Sequence, residues 1–529
     1  MKAGAEREWR ETSDTKRALL TLGLILGIAA ALRFWGLGAG IPYAIGVDEP
    51  ELMNRAVHMM RTGDYNPRFF DYGGLYIYLQ LIVASLRFLA GAMAGEWRSM
   101  ADVGPEQFYL WGRALTAAFG TLTVLLVYQV GMRWGTRYAL LAAALMAVMP
   151  MHVRESHYVL TDVPVTFFVT LTFLLALRAH EHPRLACFAW AGAAAGLAAA
   201  IKYTGGLVVL LPLAVVWMTP RERGSGTRAT VVVVAACLGA FLLAAPYTVL
   251  DLPGFLNGFA YLAGAYRGEQ PPEPAWLLYL KHLRGSFQWP ALLLALGGLV
   301  LGIVRAVRGP GRVRWTLAVV FPVLYFWFVS RQTLVFGRYL LPIIPFLCIL
   351  AAAAVVAGVS LLRRFDIPRT VRTALIVGLT FAAILPPGIR AVSFSRDLGK
   401  RSTTALAYEW IRTNIPRGSY VVVESRGLLL PRAEYKTENV PRLIWIHPTR
   451  TLREHADYVA QGVDYLVASS QGFGAAFDAP HRVPDEYAAY RRLFDQCQEV
   501  ARFTPSSQHP GPELRIFKMR TNQRESGGS

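Results

Sequence analysis

Up to about residue 390, long apolar runs alternate with short basic connections, and the run lengths predict membrane-spanning helices rather than a soluble core. At roughly 20 apolar residues per span, the runs at 18-38, 112-132, 138-151, 165-179, 185-201, 205-219, 229-246, 288-304, 315-330, 340-361 and 373-390 give about eleven spans. After residue 393 the periodicity changes. TTALAYEWIRTNIPRG reads as an amphipathic helix that stops before Pro416, SYVVVE and VDYLVAS as buried strands, and YRRLFDQCQEVARF as a helix followed by a strand. This alternation predicts a compact α/β domain over 393-520, with 521-529 as a disordered polar tail.

Composition agrees with a polytopic protein: of 529 residues 54% are hydrophobic and 17% charged, and the mean hydropathy is +0.35. The net charge of +19 raises the question of nucleic acid, but the Lys and Arg residues recur in clusters between apolar runs and form no basic domain. They read as topology signals. Cys187, Cys237 and Cys348 lie in apolar segments and Cys497 stands alone, so no disulfide framework or cysteine zinc site is available. Lys16 and Arg17 ahead of ALLTLGLILGIAAAL would suit a cleavable signal peptide; the apolar run continues through FWGLGAGIP, which favours a retained helix after a cytoplasmic segment 1-17.

Arg133 and Arg137, Arg178 and Arg184, RERGSGTR at 221-228, Arg305 to Arg314, and Arg363 to Arg372 mark alternate connections, which the positive-inside rule places in the cytoplasm. The apolar segment 75-95 would invert every later basic loop if it spanned. It is therefore expected to be a juxtamembrane or re-entrant helix on the outer surface, with a true span as the alternative. The loop with Asp48 and Glu49, HVRESHYVLTDVP at 152-164, Lys202-Tyr203, the loop 247-287 and SRQTLVFGRY at 330-339 then all face outward, as does the α/β domain.

Each outward group has a structural reading beside a functional one. Asp48 caps a helix over 49 to 62, Pro50 sits in its first turn and Glu51 completes an acidic capping box, while a cap also fixes a carboxylate that could act as a base. In 152-164, His152, Arg154, Glu155, His157, Tyr158 and Asp162 form a solvated loop, with Asp162 as a helix cap, or line a site at membrane level. Lys202 closes a small-residue helix and either snorkels to the interface or binds an anion. Arg331 and Arg338, the latter followed by Tyr339, run against the positive-inside trend, so these cations need an anionic partner or ligand such as a lipid phosphate.

Four patterns in order carry a family resemblance: LRFWGLG followed by DEP; FFDYGGLYIYL; HYVLTDVPVTFF with KYTGG one helix later; and FGRYLLPIIPFL followed by WIRTNIPRG. Over most of residues 18 to 430 the chain resembles the membrane-embedded C-type glycosyltransferases of the protein O-mannosyltransferase type, glycosyltransferase family 39 and its bacterial relatives. The resemblance implies an α-helical polytopic GT-C domain over 18-392, with a first external loop at 39-111 and an extracytoplasmic α/β domain behind it. It also implies transfer of a monosaccharide from a polyprenyl-phosphate carrier to an extracytoplasmic acceptor, a protein, lipid or glycan, at the outer face of the cell (inner) membrane. By analogy Asp48 is the base, supported by Glu49 and faced by Asp162. Lys202, Arg338, Tyr339, Arg154 and His157 are the candidates for the donor phosphate; Tyr72, Tyr158, His152 and Glu155 line the sugar and acceptor pocket. Relatives that modify lipid A with aminoarabinose read Lys-Pro-Pro-Leu where this chain has Tyr72-Gly73-Gly74-Leu75, so their phosphate lysine is missing here. Asp71 is the one candidate ligand for a divalent metal, and spacing shows no cage around it. A transporter or flippase, and an assembly protein acting through its external domain, are the competing classes.

Overall fold

The computed structural model describes residues 2–41, 46, 48–219, 224–265, 273–424, 428–439, 455–478, 480–481 and 484–519. The predicted tail 521-529, residues 221-223 of RERGSGTR and the middle of the 247-287 loop lie outside the described residues. Two compact units are present: one of Met1–Leu37, Glu51–Val103 and Trp111–Ser395, the other of Gly38–Pro50, Gly104–Leu110 and Arg396–Ser529.

The first unit is helical, and among the described residues nine helices are long and apolar enough to cross a membrane. The protein is a multi-pass membrane protein. Small residues set how closely its helices pack. On the Leu185–Ile201 helix, a Cβ at Gly192 or Gly196 would overlap the carbonyl of Val233 or Cys237 on the Ser225–Ala244 helix, and one at Gly298 would overlap that of Leu350. Backbones meet directly there because nothing projects between them.

Several expected spans differ from their sequence reading. The runs at 138-151 and 205-219 form shorter helices, Thr136–Ala147 and a 3-10 turn Tyr203–Val209 leading into Leu210–Met218, while 185-201 forms the helix Leu185–Ile201 with the expected bounds. Leu75–Met93, by contrast, is a 19-residue helix that meets the same length and hydropathy criteria as the other spans. The expectation of a surface helix there rested on loop charge and on Gln80, Ser85, Arg87 and the Tyr-rich start, none of which shortens the apolar helix. The 247-287 segment is partly helical, with Leu252–Ala265 and the start of Ala275–Arg308. That second helix breaks at Gln288, whose φ of 58° is left-handed. Its side-chain amide donates to the carbonyls of Arg284 and Gly285, satisfying acceptors that the break frees.

The second unit contains the expected sheet. Its strands are β1 (Tyr420–Val423), β2 (Lys436–Asn439), β3 (Tyr465–Ser469), β4 (Gln498–Phe503) and β5 (Leu514–Lys518), in the order β2-β1-β3-β5-β4. β1 runs parallel to β2 and β3, whereas β5 runs antiparallel to β3 and β4. Strand alternation splits the core into two layers: Val421 and Val423 pack with Tyr408 and Ile411 of the Thr403–Asn414 helix, and Val422 packs with Tyr458, Phe473 and Tyr490 on the other face. The Ser402 hydroxyl accepts from Ala405 N at 3.1 Å and starts the Thr403–Asn414 helix.

Candidate functional site

The first unit gathers acids and cations from distant parts of the chain. Asp162 opens the Asp162–Glu181 helix, but its carboxylate does not cap it. Oδ1 accepts from Lys202 Nζ at 2.7 Å, and Oδ2 lies 3.6 Å from Arg338 Nε. Lys202 follows the Leu185–Ile201 helix in extended conformation, which turns its side chain from the helix end toward Asp162. The Lys202 and Asp162 side chains are 7% and 4% exposed, so Lys202 does not snorkel. Its ammonium lies 4.2 Å from the centre of the Tyr339 ring and 5.7 Å from that of Tyr72. Two aromatic faces and a carboxylate replace the water that burial removes.

Arg154 and Glu155 end the Pro150–Glu155 helix, with Arg154 Nε and Nη2 at 2.7 and 2.6 Å from the same Glu155 oxygen. The acid is buried, and burial raises its pKa; the charges of Arg154 and Arg338 oppose that shift and that of Asp162 adds to it. Glu155 is thus within electrostatic reach of the Asp162 cluster.

His152 and His157 stand apart from this cluster. Arg33, fully buried on the first helix, donates to the carbonyls of Ala147 and Met146 at 2.9 and 3.2 Å and lies 3.1 Å from His152 Nδ1. Because a guanidinium only donates, Nδ1 is the acceptor and the ring proton is on Nε2. Burial, and then Arg33, hold the His152 pKa well below its usual range. Both His157 ring nitrogens face backbone carbonyls, Val153 at 2.8 Å and Trp35 at 3.1 Å, so this ring ties the loop to the first helix. Both His157 nitrogens are thus taken up, whereas the buried His152 Nε2 makes no hydrogen bond. Tyr158 is half-buried, with the Arg113 guanidinium 5.5 Å from its ring centre.

The segment bearing Asp71 and Tyr72 is fixed from below. The Tyr203 hydroxyl is shared between the carbonyls of Phe70 and Tyr72, each at 3.1 Å, on either side of Asp71. Burial raises the Asp71 pKa, Arg55 lowers it and Glu51 raises it. Arg55 itself pairs with Glu51 at 2.8 Å and stacks 4.1 Å above the Phe69 ring. An arginine beside the carboxyl is unfavourable for a cation, and among the described residues no group of three metal-ligating side chains occurs.

Asp48 and Glu49 belong to the second unit. Asp48 immediately precedes the Glu49–Thr62 helix and is half-buried. Glu51 Oε2 accepts from Arg55 Nη1 at 2.8 Å. Glu49, fully buried, instead reaches back to accept from Gly46 N at 2.6 Å. Sequence reasoning also missed Arg33, Arg113 and Tyr203; the signal for Arg33 was an ionisable side chain inside an apolar span.

Residues 66–259 match the family described as dolichyl-phosphate-mannose-protein mannosyltransferase. No curated protein matches the chain in sequence. Among solved structures, ArnT from Cupriavidus metallidurans bound to undecaprenyl phosphate superposes with a TM-score of 0.56 at 16% identity, covering 94% of this chain and 98% of that one. The oligosaccharyltransferase AglB from Archaeoglobus fulgidus, in complex with an inhibitory peptide and a dolichol-phosphate, gives 0.60 at 14% identity over 86% of this chain and 70% of that one. The chain thus has the fold of these GT-C membrane glycosyltransferases and, over residues 66–259, is similar to the dolichyl-phosphate-mannose-protein mannosyltransferases.

Proposed function

We propose that the protein moves a monosaccharide from a polyprenyl-phosphate carrier to an extracytoplasmic acceptor by a single inverting displacement. The observation that carries this reading is the cluster of Lys202, Arg338 and Arg154 around two buried acids, in a chain whose structural relatives bind lipid phosphates. Asp48 is the proposed base: it takes the acceptor hydroxyl proton as that oxygen attacks the anomeric carbon, and Glu49 braces its turn through Gly46. The departing phosphate gains negative charge and needs stabilisation more than a proton. Arg338 and Arg154 supply it, while Lys202 holds Asp162 in place and Tyr339 covers the ammonium. Tyr72, beside Lys202, and Tyr158 line the sugar and acceptor side. In this reading the N-terminus is cytoplasmic, and the site and α/β unit face outward from the inner membrane.

The test measures free polyprenyl phosphate released from a panel of polyprenyl-phosphate monosaccharides, with membrane extract as the acceptor source. Release from one donor by the wild type and its loss in Asp48→Asn is the expected result. Full release in the folded Asp48→Asn protein would remove the base from the mechanism.

A further inference from the structure

The pair formed by Arg154 and Glu155 is uneven. The Arg154 side chain is 48% exposed, whereas that of Glu155 is 7% exposed. They are consecutive residues of the Pro150–Glu155 helix, and adjacent side chains on a helix point about 100° apart. The helix therefore does not enforce the pairing; Arg154 folds back to reach the acid and is free to swing away from it. Lys202 differs, since its ammonium is enclosed by Asp162, Tyr339 and Tyr72. Arg338 stands between these cases, 19% exposed and at 3.6 Å from Asp162.

We propose that Glu155 is an internal counter-ion that holds Arg154, and biases Arg338, until an anionic phosphate takes over the guanidinium groups. The proposal rests on the reading that this cluster receives a lipid phosphate, and it makes Glu155 a positioning residue of the phosphate site rather than part of a sugar pocket. A consequence follows from burial. Once its guanidinium partner turns to the ligand, the carboxylate is left in a low-dielectric site near Asp162, and it takes a proton from solvent. The groups around it are Arg154 on its own helix, Arg338 from the Gly337–Ile343 segment, and Asp162, backed by Lys202, from the next helix. His282 of the Ala275–Arg308 helix faces Arg154; burial and Arg154 lower its pKa, so it is neutral at alkaline pH and does not supply the proton change.

Phosphate binding should then consume about one proton and weaken as pH rises, by up to roughly tenfold per pH unit between the free and bound Glu155 pKa values. Calorimetric titration of the purified full chain with undecaprenyl phosphate at pH 8, in two buffers of different ionisation enthalpy, counts the proton directly. At that pH the phosphomonoester is already dianionic and contributes little of its own. Glu155→Gln should abolish the uptake and tighten binding on the order of tenfold, and Arg154→Gln should weaken it. Binding by the wild type without proton uptake would overturn the counter-ion role and leave the lipid-phosphate reading standing; this count decides even if Glu155→Gln does not fold. Binding of inorganic phosphate with proton uptake, but none of the lipid, would keep the exchange and overturn the lipid as its source. No binding of either probe would overturn both readings.

Discussion

Lys202 Nζ donates to Asp162 Oδ1 at 2.7 Å, and the two residues lie 40 positions apart in the chain with both side chains almost wholly buried. Removing Lys202 leaves the buried carboxylate opposed by Arg338 at 3.6 Å, so the loss reaches at most the roughly 3–5 kcal/mol of a broken buried pair. Lys202→Met is therefore expected to lower thermal stability sharply in detergent, and the Lys202→Met/Asp162→Asn double variant to recover much of it. A double variant as unstable as the sum of the singles would show that the two residues act independently.

Arg33 satisfies the carbonyls that end the Thr136–Ala147 helix and meets His152 behind them. Arg33→Met strands those acceptors, and a buried polar group without its partner costs about 1–3 kcal/mol. Arg33→Lys should retain part of the stability. Chemical unfolding of both variants would check the order wild type, then lysine, then methionine.

Tyr203→Phe keeps the ring and deletes only the hydroxyl that holds the Phe70 and Tyr72 carbonyls. The global loss should be modest, about 1 kcal/mol. Its larger effect should fall on KM in the transfer assay, since the freed segment carries Asp71 and Tyr72. A change in kcat alone would contradict this positioning role.

Asp71 supplies a pH dependence whose sign follows from its raised pKa. The folded protein binds this proton more tightly than the unfolded chain does, so the contribution is fully present below the ordinary carboxylate range. It is lost as pH rises through the folded-state value. Asp71→Asn should thus raise the melting temperature at neutral pH and flatten its fall between mildly acidic and neutral conditions. An unchanged pH profile would show that the carboxyl is not desolvated.

Local patterns carried most of the fold. Span order and the strands β1 and β3 follow from run length and from β-branched clusters, which neighbouring residues determine. Short helices such as Thr136–Ala147 were hidden because their apolar composition matches that of full spans, and at Leu75–Met93 loop charge and the polar Gln80, Ser85 and Arg87 made a span the second reading. The site was legible as a roster of residue types but not as pairings. Nothing local joins Asp162 to Lys202 or Arg338, and nothing near Arg33 announces carbonyls more than a hundred positions away. The histidines drew attention through their chemistry; only packing shows His157 turned toward backbone carbonyls and His152 toward Arg33.

Gly73 touches the carbonyl of Ala200 so closely that any side chain there would overlap it. Proline carries such a carbon, so the Lys-Pro-Pro-Leu of the aminoarabinose-type relatives cannot be transplanted onto this backbone one residue at a time. A Lys substituted for Tyr72 alone would also put a second cation beside Lys202 where an aromatic face now stands. Any sequence change that puts a side chain at 73 therefore calls for a matching change in the helix end around Ala200.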